Sequence, residues 1–223
     1  MRISLDVLVE PIHLEEDKIT VLCVENKAYY RSLVKTFYDE HPEEQNIIFS
    51  QHYDPFKFKN NVKFISDYYN LEFTSSFYKK LYDQIAMFCV TELPEETIEI
   101  KQSILRFIDM VIENYDFDFQ SNEDVLLSDL FKIMNIKPIF DKDNLIDALL
   151  EFILITQKYA PVKLFVLLNL HNDFSKEEIL LLYHELLSRR IPVLVLESNS
   201  YFDKNELESL IIVDEDLCEI FEK

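Results

Sequence analysis

This chain of 223 residues contains no glycine. Average usage of about 7% would supply roughly 16 glycines in a chain of this length. Glycine permits positive φ and lets a backbone approach a ligand without a Cβ in the way. The phosphate-binding P-loop, the dinucleotide-binding fingerprint and the nucleophile elbow all require glycine, so none of these motifs is present in its usual form. We therefore expect no backbone cradle for nucleotide phosphates and no enzyme that holds nucleotides in this way, although a degenerate relative of such a fold is compatible with this composition.

The composition is that of an acidic but globular protein. The 22 Lys and Arg residues are outnumbered by 42 Asp and Glu residues, which gives a formal net charge of −20, while 48% of the residues are hydrophobic. A chain this long and this apolar buries a core and does not stay disordered. Its longest apolar runs, such as residues 164–168 and 179–182, are far shorter than the roughly 18 residues that span a bilayer. With no signal-peptide pattern and three widely spaced cysteines, we expect a cytoplasmic protein without a disulfide framework or a membrane segment.

Strand-like segments lie towards both ends of the sequence. Residues 3–9 alternate in polarity, residues 19–24 are continuously apolar or β-branched, and residues 46–50 read as a third short strand. After Pro161 the pattern returns in residues 163–169, 193–197 and 210–213, with a capped helix that begins at Ser175. This strand–helix–strand spacing favours a parallel pair of strands.

The middle of the sequence has helical periodicity instead, in residues 62–69, 75–91, 95–115, 123–134 and 144–159. Pro94 followed by Glu95 and Glu96 is a typical helix start, because acids in the first turn are favoured by the helix dipole. The sequence therefore predicts an α/β fold. Its head domain is made from residues 1–60 and 160–223, and an α-helical leg domain of residues 61–159 is inserted between them.

Taken in order, these patterns resemble the small Csn-type ring protein of type II-A CRISPR adaptation. The resemblance runs through nearly the whole chain, in residues 1–5, 10–12, 33–35, 37–38, 65–67, 130–134, 166–169, 174–179 and 193–197. Each segment is a pattern of the fold core rather than a catalytic signature, so the ordered set carries the resemblance. The usual glycines of the family are missing, which indicates a divergent member.

The resemblance implies both a fold and a function. The head would be a degenerate P-loop-ATPase-like α/β domain that has lost its nucleotide machinery. Four chains would form a homotetrameric ring whose positive central hole takes double-stranded DNA ends regardless of sequence, without nuclease activity. Such a ring would not be an enzyme, and it would be accessory to CRISPR spacer acquisition, an adaptive antiviral defence. Its partners would be the spacer-integration proteins and the type II effector nuclease, and it would bind calcium at acidic sites.

An acidic chain that binds DNA must concentrate its positive charge, because phosphate contacts supply most of the non-specific affinity. Lys27, Arg31 and Lys35 are spaced four apart on the predicted first helix and form one basic stripe. Three more lysines lie in and after the loop that joins the predicted domains: Lys57, Lys59 and Lys63. We interpret these six residues as the DNA-binding set, most firmly at Lys35, where the family pattern matches, and in the Lys57/Lys59 loop. The alternative is that the stripe pairs with acids such as Glu25 and Asp39 on a solvated surface.

The second candidate is an acidic cluster near a helix junction of the predicted leg. Four carboxylates are the candidate calcium ligands: Asp116, Asp118, Glu123 and Asp124. Asp116 and Asp118 alternate with Phe117 and Phe119, which favours projection of both carboxylates to one side while the aromatic rings pack. Calcium takes six to eight oxygen ligands in irregular geometry, although the spacing here is not that of an EF-hand. Acids at the Asp116/Asp118 position occur in the resembled family; the alternative is an ordinary solvated acidic loop.

Two further residues, Glu197 and His171, stand at or just after the ends of predicted strands. Glu197 ends an apolar strand where nucleotide hydrolases carry an acid, but without a phosphate loop it is interpreted as a remnant of the fold. His171 follows Asn169 and indicates either a site at the end of a strand or the turn before Ser175.

The competing function is an acidic protein-interaction adaptor that does not bind DNA directly.

Overall fold

A computed structural model describes residues 1–39, 47–117, 119–122, 124–141 and 143–222. Within these ranges the chain is a mixed α/β protein with two sheets and seven helices. The helices are α1 Lys27–Asp39, α2 Ser75–Glu92, α3 Pro94–Ile112, α4 Leu127–Ile133, α5 Leu145–Tyr159, α6 Leu170–Asp173 and α7 Lys176–Ser188. The strands are β1 Arg2–Leu5, β2 Ile12–His13, β3 Ile19–Val24, β4 Ile47–Gln51, β5 Asp54–Pro55, β6 Val62–Ile65, β7 Leu164–Leu168, β8 Val193–Glu197, β9 Glu208–Val213 and β10 Glu219–Glu222. None of these helices has both the length and the apolarity needed to cross a membrane.

The larger sheet has six strands in the order β10-β9-β3-β8-β7-β6. All its pairings are parallel except that of β10 with β9. The predicted parallel pair is confirmed, since β7 and β8 pair in parallel and α7 lies between them in the chain. All six residues of β3 are buried, which accounts for its continuously apolar sequence in the middle of a sheet covered on both faces.

Helices cover both faces of this sheet. On one face, Leu33 and Phe37 of α1 pack in a common core with Leu22 and Leu196, and the smaller antiparallel sheet, ordered β2-β1-β4-β5, joins the same core. Side chains alternate along a strand, so the intervening residues point to the other face. There α7 approaches Glu208 at the start of β9, and α5 packs beside α7.

The chain forms two compact units, one of Met1–Leu71 with Phe140–Lys223 and one of Glu72–Ile139. These boundaries differ from the predicted ones, which fell after residues 60 and 159. Residues 62–69, predicted to be helical, contain the edge strand β6 instead, because Val62–Ile65 pair with β7. A short apolar run has no clear period, so its sequence does not separate strand from helix. The α5 helix also belongs to the α/β unit.

The smaller unit consists of α2, α3 and α4. Thr74 caps α2 by accepting a hydrogen bond from the N–H of Phe77, and α3 begins at Pro94 with two glutamates in its first turn, as predicted. The hydroxyl of Tyr82 donates to the Ile136 carbonyl at 3.1 Å, and that of Thr97 donates to the Cys89 carbonyl at 2.9 Å. Thr97 is the one buried residue of α3, so this helix leaves most of its apolar side chains exposed.

Positive φ is adopted without glycine at seven described positions: His52, Tyr53, Asn60, Asn135, Asn169, Arg190 and Leu217. His52 and Tyr53 form the two-residue turn between β4 and β5, a turn whose favoured types require positive φ. Arg2 supports this turn, because its guanidinium lies 4.0 Å from the centre of the Tyr53 ring and donates to the Tyr53 hydroxyl at 2.9 Å. The chain therefore builds tight turns with ordinary side chains at a cost in backbone strain.

Candidate nucleic-acid interface

The basic stripe of α1 is exposed along its length. Lys27, Arg31 and Lys35 point away from the core that Leu33 and Phe37 enter. None of the three forms an ion pair with a described residue. The pairing with Glu25 and Asp39 that the alternative interpretation requires is thus not formed within the described part of the chain. Three cationic groups on one helix face are available to an anionic partner.

A pocket of about 250 Å³ lies beside the first two of these residues. It is lined by Val24, Lys27, Tyr30, Arg31 and Ser198. Val24 ends β3 and Ser198 follows β8, so the pocket lies at the carboxyl ends of two adjacent parallel strands, where open α/β sheets usually place ligands. Burial raises the pKa of Tyr30 to about 12, so its hydroxyl remains a donor, here to Asn169 Oδ1 at 2.9 Å.

The first turn of α1 is closed by a side chain. Asn26 Oδ1 accepts from the N–H groups of Ala28 at 3.1 Å and Tyr29 at 3.0 Å. In a phosphate-binding loop, N–H groups at this place, after a strand and at a helix start, hold the phosphate. Here the chain itself satisfies two of them, which leaves the side chains of Lys27 and Arg31 as the groups that face an anion.

The loop after β5 carries Lys57 and Lys59, both exposed. Phe58 between them is buried in the core beneath α1, with its ring centre 5.9 Å from that of Phe37. Asn61 Nδ2 donates to the Lys57 carbonyl at 2.8 Å and the Lys59 carbonyl at 3.3 Å. The anchored phenylalanine and the bridging amide fix this loop on the same side of the large sheet as α1.

Lys63 lies elsewhere. It is a residue of β6 and points to the face covered by α5, where its ammonium lies 5.3 Å from the centre of the Phe152 ring. The structure therefore does not bring Lys63 together with the α1 stripe. It brings a different lysine to the loop: the Lys163 N–H donates to the Asn61 carbonyl at 2.7 Å, and its ammonium lies 4.5 Å from the centre of the Phe56 ring. Sequence reasoning missed Lys163 because it stands about a hundred residues away in the chain.

The acidic candidates are only partly described. Asp118 and Glu123 lie outside the described residues, while Asp116 and Asp124 are exposed. The Lys101 ammonium lies 2.8 Å from Asp124 Oδ1, and this hydrogen bond lowers the pKa of Asp124. Phe117 is 75% exposed, so it does not pack as the alternation suggested. Among the described residues, no three side chains of the metal-ligating types group together.

His171 and Glu197, the two positions that the sequence left without a partner, are in contact. The turn that follows Asn169 and the capping box at Ser175 form as one of the two interpretations of His171 predicted. In addition, His171 Nδ1 lies 2.7 Å from Glu197 Oε1 inside the α/β unit. Both side chains are nearly inaccessible to solvent. Their sequence separation of 26 residues gives no motif, so sequence reasoning had no signal for this contact.

A family model described as CRISPR-associated protein (Cas_Csn2) matches residues 37–217. The matched range includes β4 to β9 and the whole helical unit, and it begins after the basic stripe of α1. No curated protein matches the sequence significantly.

Proposed function

Since this chain belongs to the Cas_Csn2 family of CRISPR-associated proteins, we propose that it binds double-stranded DNA ends without sequence preference. In this proposal four copies form a ring that assists spacer acquisition. The spacer-integration proteins and the type II effector nuclease are its partners within the CRISPR system. The protein holds DNA and does not cut it.

The basic stripe of α1 carries the proposal. On a chain with a net charge of −20, basic side chains would normally form ion pairs with neighbouring carboxylates. Lys27, Arg31 and Lys35 instead remain exposed and unpaired among the described residues. Lys57 and Lys59 add two exposed lysines on the same side of the sheet. Lysine and arginine contacts to phosphates bind DNA independently of sequence, and they weaken as the salt concentration rises because the release of counterions becomes less favourable.

Self-assembly multiplies this modest charge into a continuous surface. The α3 helix carries apolar residues at positions 100, 104, 107 and 111, a spacing of four, three and four that places them on one face. Ile100, Phe107 and Val111 are 49%, 64% and 39% exposed. An apolar face of this kind on a soluble unit is typical of an interaction surface, and a second copy of the chain is the occupant that a ring requires.

The head is proposed to be a degenerate relative of P-loop ATPases, and we expect no ATP hydrolysis. Three observations support this. The chain has no glycine, Asn26 caps the helix that follows β3, and the Glu197 carboxylate contacts His171 inside the α/β unit. Phosphate release by the purified protein that disappears in a Glu197→Gln variant would contradict it.

Calcium binding at the acidic cluster is a further part of the proposal. Asp116 and Asp124 are carboxylates of the type that calcium prefers, and Asp118 and Glu123 are the other candidates. Asp124 Oδ1 already accepts from the Lys101 ammonium at 2.8 Å, so a calcium ion at this carboxylate would compete with Lys101. Calcium that binds the native chain raises its melting temperature. Equal melting temperatures in millimolar calcium and in chelator would show that the cluster is a solvated loop that does not bind calcium.

Charge reversal tests the DNA-binding surface. Lys57→Glu with Lys59→Glu should weaken binding to linear duplex about ten-fold or more at moderate salt and lower the salt slope by about one to two. The matched control is Lys158→Glu with Lys176→Glu. These two exposed lysines lie on α5 and α7, on the opposite face of the large sheet, and their reversal changes the net charge by the same amount.

Equal losses in the two double variants would mean that only the overall charge matters, and would contradict the proposed surface. A protein-interaction adaptor is the second candidate function, favoured by the exposed apolar face of α3. It predicts no binding of the parent chain to DNA at moderate salt, together with retained self-association.

A further inference from the structure

His171 bridges two buried glutamates that sit on strands two places apart in the sheet. Its Nδ1 lies 2.7 Å from Glu197 Oε1 at the end of β8, and its Nε2 lies 2.8 Å from Glu208 Oε1 at the start of β9. The His171 side chain is 7% exposed and the two glutamate side chains are 1% and 0% exposed. Because β3 lies between β8 and β9, this bridge is not part of any backbone ladder.

The geometry of the bridge matches a protonated imidazole between two carboxylates. Glu208 Oε1 accepts from the Tyr183 hydroxyl at 2.8 Å, and Glu208 Oε2 accepts from the Asn205 N–H at 2.8 Å. Glu197 Oε1 accepts from the His171 N–H at 3.1 Å. Both carboxylates are thus placed as acceptors. A neutral imidazole donates from one nitrogen only, whereas the imidazolium donates from both, so the protonated ring can donate to both glutamates at once.

The surrounding groups are acids and phenols. Tyr183 of α7 donates to Glu208. Tyr68, which follows β6, donates from its hydroxyl to the Leu168 carbonyl at 2.9 Å. Tyr68 also lies close enough to Glu197 and Asp173 to interact with their negative charges. Cys23 of β3 and Tyr30 of α1 also lie within the field of Glu197. Burial alone lowers the pKa of His171, but the hydrogen bonds and charges of the two glutamates outweigh it and raise that pKa to about 9.

The bridge also holds the chain between β8 and β9, residues 198–207. The Phe202 ring stacks on the imidazole with 3.9 Å between ring centres. The Asn205 N–H is fixed by Glu208, as described above. At its start, this connection supplies Ser198 to the pocket beside Lys27 and Arg31, and the Ser200 hydroxyl donates to Glu25 Oε1 at 2.8 Å. What holds the connection therefore also shapes one wall of that pocket.

We propose that His171 is a pH-sensitive clasp that closes residues 198–207 over the carboxyl end of β8 when protonated and releases them when deprotonated. Loss of the proton leaves a ring lone pair against a buried carboxylate, which breaks one of the two contacts. Phe202 then loses its partner and the connection opens, while the parallel ladders of β3 with β8 and β9 stay paired. The clasp acts on the fold of the α/β unit whether or not the chain binds DNA.

Two measurements on the full chain test the clasp. The first follows the ring nitrogens of His171 by nuclear magnetic resonance as pH rises. The expected midpoint is near 9, against about 6.5 for an ordinary histidine. A midpoint at or below 6.5 overturns the proposal, and this reading needs no variant. In Glu208→Gln, which removes one carboxylate, the midpoint should fall by about one unit or more, a ten-fold loss of proton affinity.

The second measurement is the rate of trypsin cleavage after Lys204, which lies within residues 198–207. This rate is divided by the rate at which the intact chain disappears. In the parent protein this cleavage should accelerate several-fold as pH passes through the His171 midpoint. The side chain of the His171→Gln variant cannot be protonated, so its cleavage should be fast at neutral pH and should lose that pH dependence. The same pH dependence in parent and variant contradicts the clasp, because trypsin's own response to pH is common to both.

Discussion

The side chains at positive φ are the most direct consequence of a glycine-free sequence. Leu217 is the clearest example: at φ 64° it completes the turn between β9 and β10, with its N–H donating to the Asp214 carbonyl at 3.1 Å. A left-handed conformation costs an L-residue about 1–2 kcal/mol, because Cβ approaches the following carbonyl. Glycine avoids this cost, so the chain carries removable strain at identifiable residues.

Replacing this leucine should stabilise the protein. Leu217→Gly is expected to raise the free energy of unfolding by about 0.5–1 kcal/mol, since relief of the left-handed strain exceeds the entropy that glycine adds to the unfolded chain. Urea unfolding measures the change. Asp216→Gly is the control, because Asp216 is not at positive φ and glycine there should only destabilise. A loss of stability in Leu217→Gly would show that its strain is not relieved.

The pKa of His171 makes stability depend on pH. Its folded value of about 9 exceeds the ordinary value of about 6.5, so folding takes up a proton between these limits. The bridge therefore contributes fully below about pH 6.5 and is lost as pH rises through about 9, a difference on the order of 3 kcal/mol. We expect the unfolding free energies of the parent and His171→Gln to differ at pH 6 and to converge above pH 9. A constant difference would contradict this linkage.

At the scale of elements, sequence patterns predicted most helices and the buried strands. β3, β7 and β8 are buried on both faces of the sheet. Each is a continuous apolar run in the sequence, which is a strong signal for a buried strand. β6 was misassigned because a four-residue edge strand followed by a polar turn does not show a period. The exposed basic face of α1 followed from its spacing of four, whereas the nearness of Lys163 to the Lys57/Lys59 loop arises only from the pairing of β6 with β7.

The apolar face of α3 should control self-association. Phe107→Glu places a charge at the centre of the face formed by residues 100, 104, 107 and 111, and burying that charge against a second copy is unfavourable. We expect light scattering to report a smaller particle than for the parent chain. Phe117→Glu is the control, because Phe117 is still more exposed but lies in the turn after α3. An unchanged mass for Phe107→Glu would exclude this face as an assembly surface.

At the scale of the whole molecule, the proposed function depends on a contrast between total and local charge. The net charge of −20 repels a duplex, so binding requires that the exposed cations of α1 and of the Lys57/Lys59 loop act together on its phosphates. The sequence predicts these five cations as DNA contacts, and their exposure in the fold agrees with that prediction. It did not reveal the His171 bridge, because residues 171, 197 and 208 converge only when β8 and β9 take their places on either side of β3.

A ring that threads onto DNA from an end must distinguish linear DNA from circular DNA. One plasmid is prepared as linear, nicked-circular and covalently closed DNA and titrated with the protein at the same salt in a gel-shift assay. Phosphate contacts are nearly equal in number on the three forms, so charge alone predicts equal binding. Threading predicts binding to the linear form and little binding to either circle, because neither circle offers an end. Equal binding to all three forms would contradict threading.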